Sequence, residues 1–144
     1  MTFEPVRTEL LARGAHVLFD SSRIPGRILD VLVVRADAMQ SHLRQLKILL
    51  ASHFAAQDYM ARQPQDAAAR MARRLEVTPA QVLPQFDGMK LPNVAENWQW
   101  LSGDKPGIST AASALASLML QRRLLQHQVD VSRLADAACL PERR

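Results

Sequence analysis

Residues Ile28 to Val34 form an apolar run rich in β-branched side chains, interrupted by one charge at Asp30. Such a run reads as a strand that is apolar on both faces, and a strand of that kind belongs inside a sheet covered by helices. A second, shorter apolar run lies at His16 to Phe19. The turn-forming stretch Asp20-Ser21-Ser22-Arg23-Ile24-Pro25-Gly26 separates the two. Two short strands cannot build a covered sheet alone, so the pattern implies an α/β arrangement to which this chain contributes only a part.

The rest of the chain carries helical periodicity. Pro5 suits a first helical position and Gly14 a C-cap, which predicts a short helix between them with Val6, Leu10 and Leu11 near one face. From Ser41 onward, Leu43, Leu46, Leu49, Leu50, His53 and Phe54 recur three or four apart and predict a helix to Met60. Pro64 opens a second helix bearing Ala68, Met71, Ala72 and Leu75, and Thr78-Pro79 opens a third through Val82, Leu83 and Phe86. Asn93 with Glu96 three residues later resembles a capping box before Trp98 and Leu101. Ser109 to Leu125 reads as a long helix, and a last short turn covers Val131 to Ala138. The expected inventory is two short strands and about six helices.

A chain of 144 residues fits one ordinary domain, and 48% hydrophobic with 22% charged residues argues against disorder. No apolar stretch approaches the roughly 20 residues of a membrane span. The first twenty residues lack the basic start and uninterrupted apolar segment of a secretory signal, so the chain as written is expected in the cytoplasm. The net charge of +4 comes from 18 basic residues scattered among 14 acidic ones, a weak footprint for nucleic acid.

Catalysis calls for a nucleophile with its base, paired carboxylates or a metal cluster, and none stands out. His16, His42, His53 and His127 lie far apart and lack metal-ligand spacing. Gly14, Gly26, Gly88, Gly103 and Gly107 are too dispersed to cradle a phosphate. Cys139 is the lone cysteine and reads as a small apolar side chain. The expectation is a protein that is not an enzyme and takes neither cofactor nor metal.

One stretch has the form of a helix-turn-helix: a helix with Arg73 and Arg74, a turn, and a second helix starting at Thr78. Its alternative reading is a plain helical hairpin with solvated arginines. Gln81 and Gln85 alone would make a thin recognition face, so DNA binding by a small basic regulator stands as the second functional reading.

The front of the chain runs Thr2-Phe3-Glu4-Pro5-Val6, then Leu10-Leu11-Ala12-Arg13-Gly14-Ala15, then Val17-Leu18-Phe19-Asp20-Ser21-Ser22. Ile24-Pro25-Gly26 and Asp30-Val31-Leu32-Val33-Val34-Arg35 follow. This succession resembles the solute-binding proteins of nitrate, taurine, aliphatic-sulfonate and thiamine-precursor ABC importers. Gln63-Pro64, Leu75 to Val82 and Leu140-Pro141 extend the likeness generically. The resemblance implies the C-terminal part of a two-lobed periplasmic-binding-protein-like (type II) α/β fold. Residues 1–20 would end the second lobe, 21–27 form a hinge-like bend with Met1 inside a strand, and 28–144 return to the first lobe.

Complete members of that family are about twice as long, begin with a signal peptide and work in the periplasm, so half the ligand cleft is expected to be missing here. The implied role is binding of a small anionic organic or inorganic solute without chemistry, for delivery to an ABC permease. Sulfonates, nitrate, bicarbonate, aromatic acids and pyrimidines are all bound within the family. Glu4 is the first implied ligand contact, with Phe3 and Thr2 beside it. The residues alone also allow Glu4 to act simply as a negative charge favoured at a helix N-terminus. Arg23 and Arg27 could pair with an anion or be solvated. Some members of the thiamine-precursor branch make the pyrimidine, but the cysteine-rich motif for that chemistry is absent. Orphaned strands would leave open edges and apolar surface, favouring self-association.

Overall fold

The computed structural model describes residues 2–143. Met1, expected within a strand, lies outside the described residues. The helices are α1 (Val6–Ala12), α2 (Ala36–Ser41), α3 (Leu43–Arg62), α4 (Pro64–Leu75), α5 (Pro79–Val82), α6 (Val94–Leu101) and α7 (Gly107–Gln121), with 3₁₀ turns at Ser21–Arg23 and Leu83–Phe86.

The expected α/β fold is overturned, because among the described residues there is no strand. His16 to Phe19 and Ile28 to Val34 run without regular structure and are exposed except at the half-buried Val34, with Leu18 at 91% and Val33 at 83%. The two runs fall in different compact units, one made of Met1–Ile24 and Ala55–Leu91, the other of Pro25–Phe54 and Pro92–Arg144. Neither run supplies the other with a hydrogen-bonded ladder, and β propensity without a partner strand is a preference with nothing to satisfy it. The turn chemistry between them is realised: Asp20 Oδ1 accepts from the Ser22 N–H at 2.9 Å and starts the 3₁₀ turn, and Gly26 takes a left-handed φ of 70°.

The helices mostly begin where start signals stand. Pro64 and Pro79 occupy the first positions of α4 and α5, where a missing N–H costs no hydrogen bond. At α6 the Asn93 side chain accepts from the Glu96 N–H, and the Glu96 carboxylate accepts from the Asn93 N–H, both at 2.9 Å. Helix α2 was not expected. The predicted turn over Val131 to Ala138 forms only isolated turns, and α7 ends at Gln121 instead of Leu125.

The core of the first unit is the hairpin of α4 and α5. Ala68 and Ala72 lie one turn apart on α4, and their small side chains let Val82 approach; Ala68 and Val82 are fully buried. Met71, Leu75, Val77, Leu83 and Phe86 close around them. The turn between the helices needs a left-handed residue, and Glu76 supplies it at φ 56°, while the Val77 N–H returns to the Ala72 carbonyl at 3.1 Å. At the other end of α4, Asp66 accepts from the Tyr59 hydroxyl of α3 and from Arg70. Tyr59 first, and then Arg70, hold its carboxyl below the usual range.

In the second unit α6 packs on α7. Gly107 opens α7 directly under the Trp100 ring, where a methyl group would come within 2.9 Å of the indole, so only glycine allows that approach. Among the described residues no helix is long and apolar enough to cross a membrane.

Two substitutions test the hairpin. Val82→Ala should cost about 2 kcal/mol in urea unfolding, from the lost apolar contact and the cavity left behind. Glu76→Gly should gain about 0.5–1 kcal/mol in the same experiment, because glycine adopts the left-handed conformation without steric penalty.

Candidate functional site

Thr2, Phe3 and Glu4 lead into α1, and the backbone there is tied down early: the Arg7 N–H donates to the Phe3 carbonyl at 2.9 Å. The Phe3 ring is 67% exposed, and the Thr2 side chain is also exposed. Glu4 is half-buried and bonded to residues of the helix that follows it. Its Oε2 accepts from the Thr8 N–H at 3.1 Å and from the Thr8 hydroxyl at 2.6 Å, and its Oε1 accepts from Arg7 Nη1 at 3.1 Å.

These contacts favour the ionised form of Glu4. Partial burial pushes its carboxyl upward, but the Thr8 hydroxyl, the Arg7 guanidinium and the Thr8 N–H together outweigh burial and hold it below the ordinary 4.5. The structure thus realises the helix-start role for Glu4. An ionised carboxylate offers about four acceptor sites, and three are in use here, which leaves room for one further donor on Oε1.

The other sequence candidates are not drawn into this site. Arg23 and Arg27 are exposed and make no ion pair among the described residues. No group of three histidine, cysteine or carboxylate side chains is placed to hold a metal among the described residues. His42 is bonded through Nδ1 to the neighbouring Ser41 hydroxyl at 2.6 Å, and His53 meets the Phe54 ring edge-on at 5.4 Å.

The helix-turn-helix candidate resolves as a hairpin. Its second helix, α5, is one turn long. The Gln81 side chain accepts from the Thr78 N–H and hydroxyl at 2.9 and 2.8 Å, so it caps its own helix. Gln85 is buried. The Gln81 carbonyl oxygen is thus engaged within its own turn, and Gln85 is withdrawn from the surface. Arg73 and Arg74 are exposed, as in the plain hairpin reading.

Sequence reasoning missed a groove in the second unit, between α7 and residues 128–132. It is lined by Ser113, Ser117, Leu120, Gln128 and Asp130, and a smaller depression beside it is flanked by Lys105 and Ser109. The serines at 109, 113 and 117 recur at four-residue spacing along α7, and that periodicity was the available signal.

The Glu4 contacts make a pH prediction with a definite sign. A carboxyl whose folded pKa lies below its unfolded value stabilises the structure at pH values above the unfolded one, and the benefit is lost as pH falls through the folded value. Helix α1 should therefore lose order as pH drops below about 4.5. Glu4→Gln should flatten that acid transition, followed by amide exchange of Thr8 and neighbouring residues.

No protein-family profile, curated protein or solved structure matches this chain.

Proposed function

We propose that the chain serves the solute-binding step of an ABC importer, holding a small anionic organic or inorganic solute without chemical change. The observation that carries this reading is the ordered succession from Thr2 to Arg35, which resembles that class of solute-binding proteins over its aromatic-Glu-Pro step, its Ile-Pro-Gly bend and its Asp-Val-Leu-Val-Val-Arg run.

Two structural features support it. The apolar runs around Leu18 and Val33 are exposed, which fits a chain that works against further protein, with the importer's permease as the implied partner. The segment Thr2-Phe3-Glu4 presents an exposed ring, an exposed hydroxyl and a carboxylate with acceptor capacity to spare, next to the half-exposed Arg7. A solute with both an acid group and a donor, such as an amino-sulfonate, would meet Arg7 with the first and Glu4 with the second. Binding would rest on charge-assisted hydrogen bonds.

Thermal melts of the whole chain with a panel of sulfonates, small carboxylates, nitrate and pyrimidines test the reading. A ligand at 100 times its Kd stabilises the native state by about 2.7 kcal/mol, which raises the midpoint by on the order of 10 °C. Glu4→Ala should remove the shift for solutes that carry a donor. A panel in which every compound leaves the midpoint unmoved refutes the proposal.

A further inference from the structure

Among the described residues, three hydrogen bonds join side chains of the C-terminal residues 139–143, or their backbone, to groups more than 40 residues away. Trp98 Nε1 of α6 donates to the Pro141 carbonyl at 2.8 Å. The Arg143 guanidinium lies 5.1 Å above the Trp98 ring, and its Nη2 donates to Ser102 Oγ at 3.3 Å. Ser102 in turn donates to the Trp98 carbonyl at 2.5 Å, so Arg143 sits over the C-terminal end of α6, where the free carbonyls favour a cation. Four residues before Arg143, Cys139 is buried with its Sγ 3.6 Å from Met39 Sδ of α2. A tight turn presents it there, with the Ala138 N–H on Asp136 Oδ1 at 2.8 Å and the Leu140 N–H on the Ala137 carbonyl at 3.0 Å.

The tail therefore bridges α2 and α6, elements far apart in sequence, through a few individually weak contacts: one neutral hydrogen bond, one cation–π contact, one hydrogen bond from an exposed arginine and one sulfur contact. Neither Arg143 nor Glu142 forms an ion pair among the described residues. Contacts of these kinds contribute modestly each, and they share one short segment, so they make and break together.

We propose that residues 138–143 form a latch that closes the second unit by gripping Trp98 on both its N–H edge and its face, and that opening of this latch uncovers the Cys139 thiol. The closed latch holds α2 and α6 to a common strap; the open latch frees the indole and the thiol at once. Its grip is partly electrostatic, through Arg143 on the ring and on the end of α6. Salt therefore loosens it, because these groups lie near the surface.

The chain carries a single cysteine, so the whole protein reports on its own latch. The experiment measures the rate at which iodoacetamide, an uncharged probe, labels Cys139 at fixed pH, in low and high salt. The parent chain should label far more slowly than the same chain in urea, and its rate should rise with salt. Arg143→Ala and Trp98→Phe should each speed labelling about fivefold, the factor for loss of one such contact, with far-UV circular dichroism unchanged. The Arg143→Ala rate should no longer respond to salt, and Arg143→Lys should recover part of the protection. A parent rate that equals the rate in urea, or that ignores salt, overturns the latch, and that result needs no variant to fold. Parent-like rates in both Arg143→Ala and Trp98→Phe overturn it equally.

Discussion

A helix satisfies its backbone hydrogen bonds within its own length, whereas a strand needs a neighbour. That asymmetry decides what this chain becomes. Every segment with a cap and a three-to-four periodicity closes on itself: α4 from Pro64, α5 from Thr78-Pro79, α6 from Asn93 and Glu96. The two segments with the strongest β composition lie in separate compact units and acquire no ladder. Their apolar side chains, Leu18 and Val33 foremost, are left facing solvent. The same physics that orders the capped segments into helices leaves the Ile28 to Val34 run without a partner strand.

The consequences reach the energetics. Burial concentrates in the α4–α5 hairpin, where Ala68 and Ala72 are small enough to admit Val82, and few large side chains elsewhere leave water. Stability is then local, resting on caps, turns and short-range pairs such as Glu4 with Thr8 and Asp66 with Tyr59. Three long-range side-chain hydrogen bonds meet instead at the C-terminal tail, which is why that tail can act as a unit. The importer reading and the latch bear on different units: Thr2 and Phe3 are exposed beside α1 in the first, while Trp98 and Arg143 organise the second.

Local chemistry was legible in the sequence. The start signals at Pro64, Thr78 and Asn93 and the Asp20 turn appear where residue identity put them, and α1 begins and ends within one residue of the positions expected from Pro5 and Gly14, because each depends on neighbours within four residues. The helix-start role of Glu4 was likewise one of its two sequence readings, since Arg7 and Thr8 lie within one turn. Tertiary structure alone decided the remainder. Whether Ile28 to Val34 pairs depends on a strand its own residues cannot supply. That Glu76 must turn left-handed follows from the packing of α4 on α5. That Trp98 meets Pro141 and Arg143, and Cys139 meets Met39, follows from contacts across 43 to 100 residues, which periodicity and capping rules do not encode.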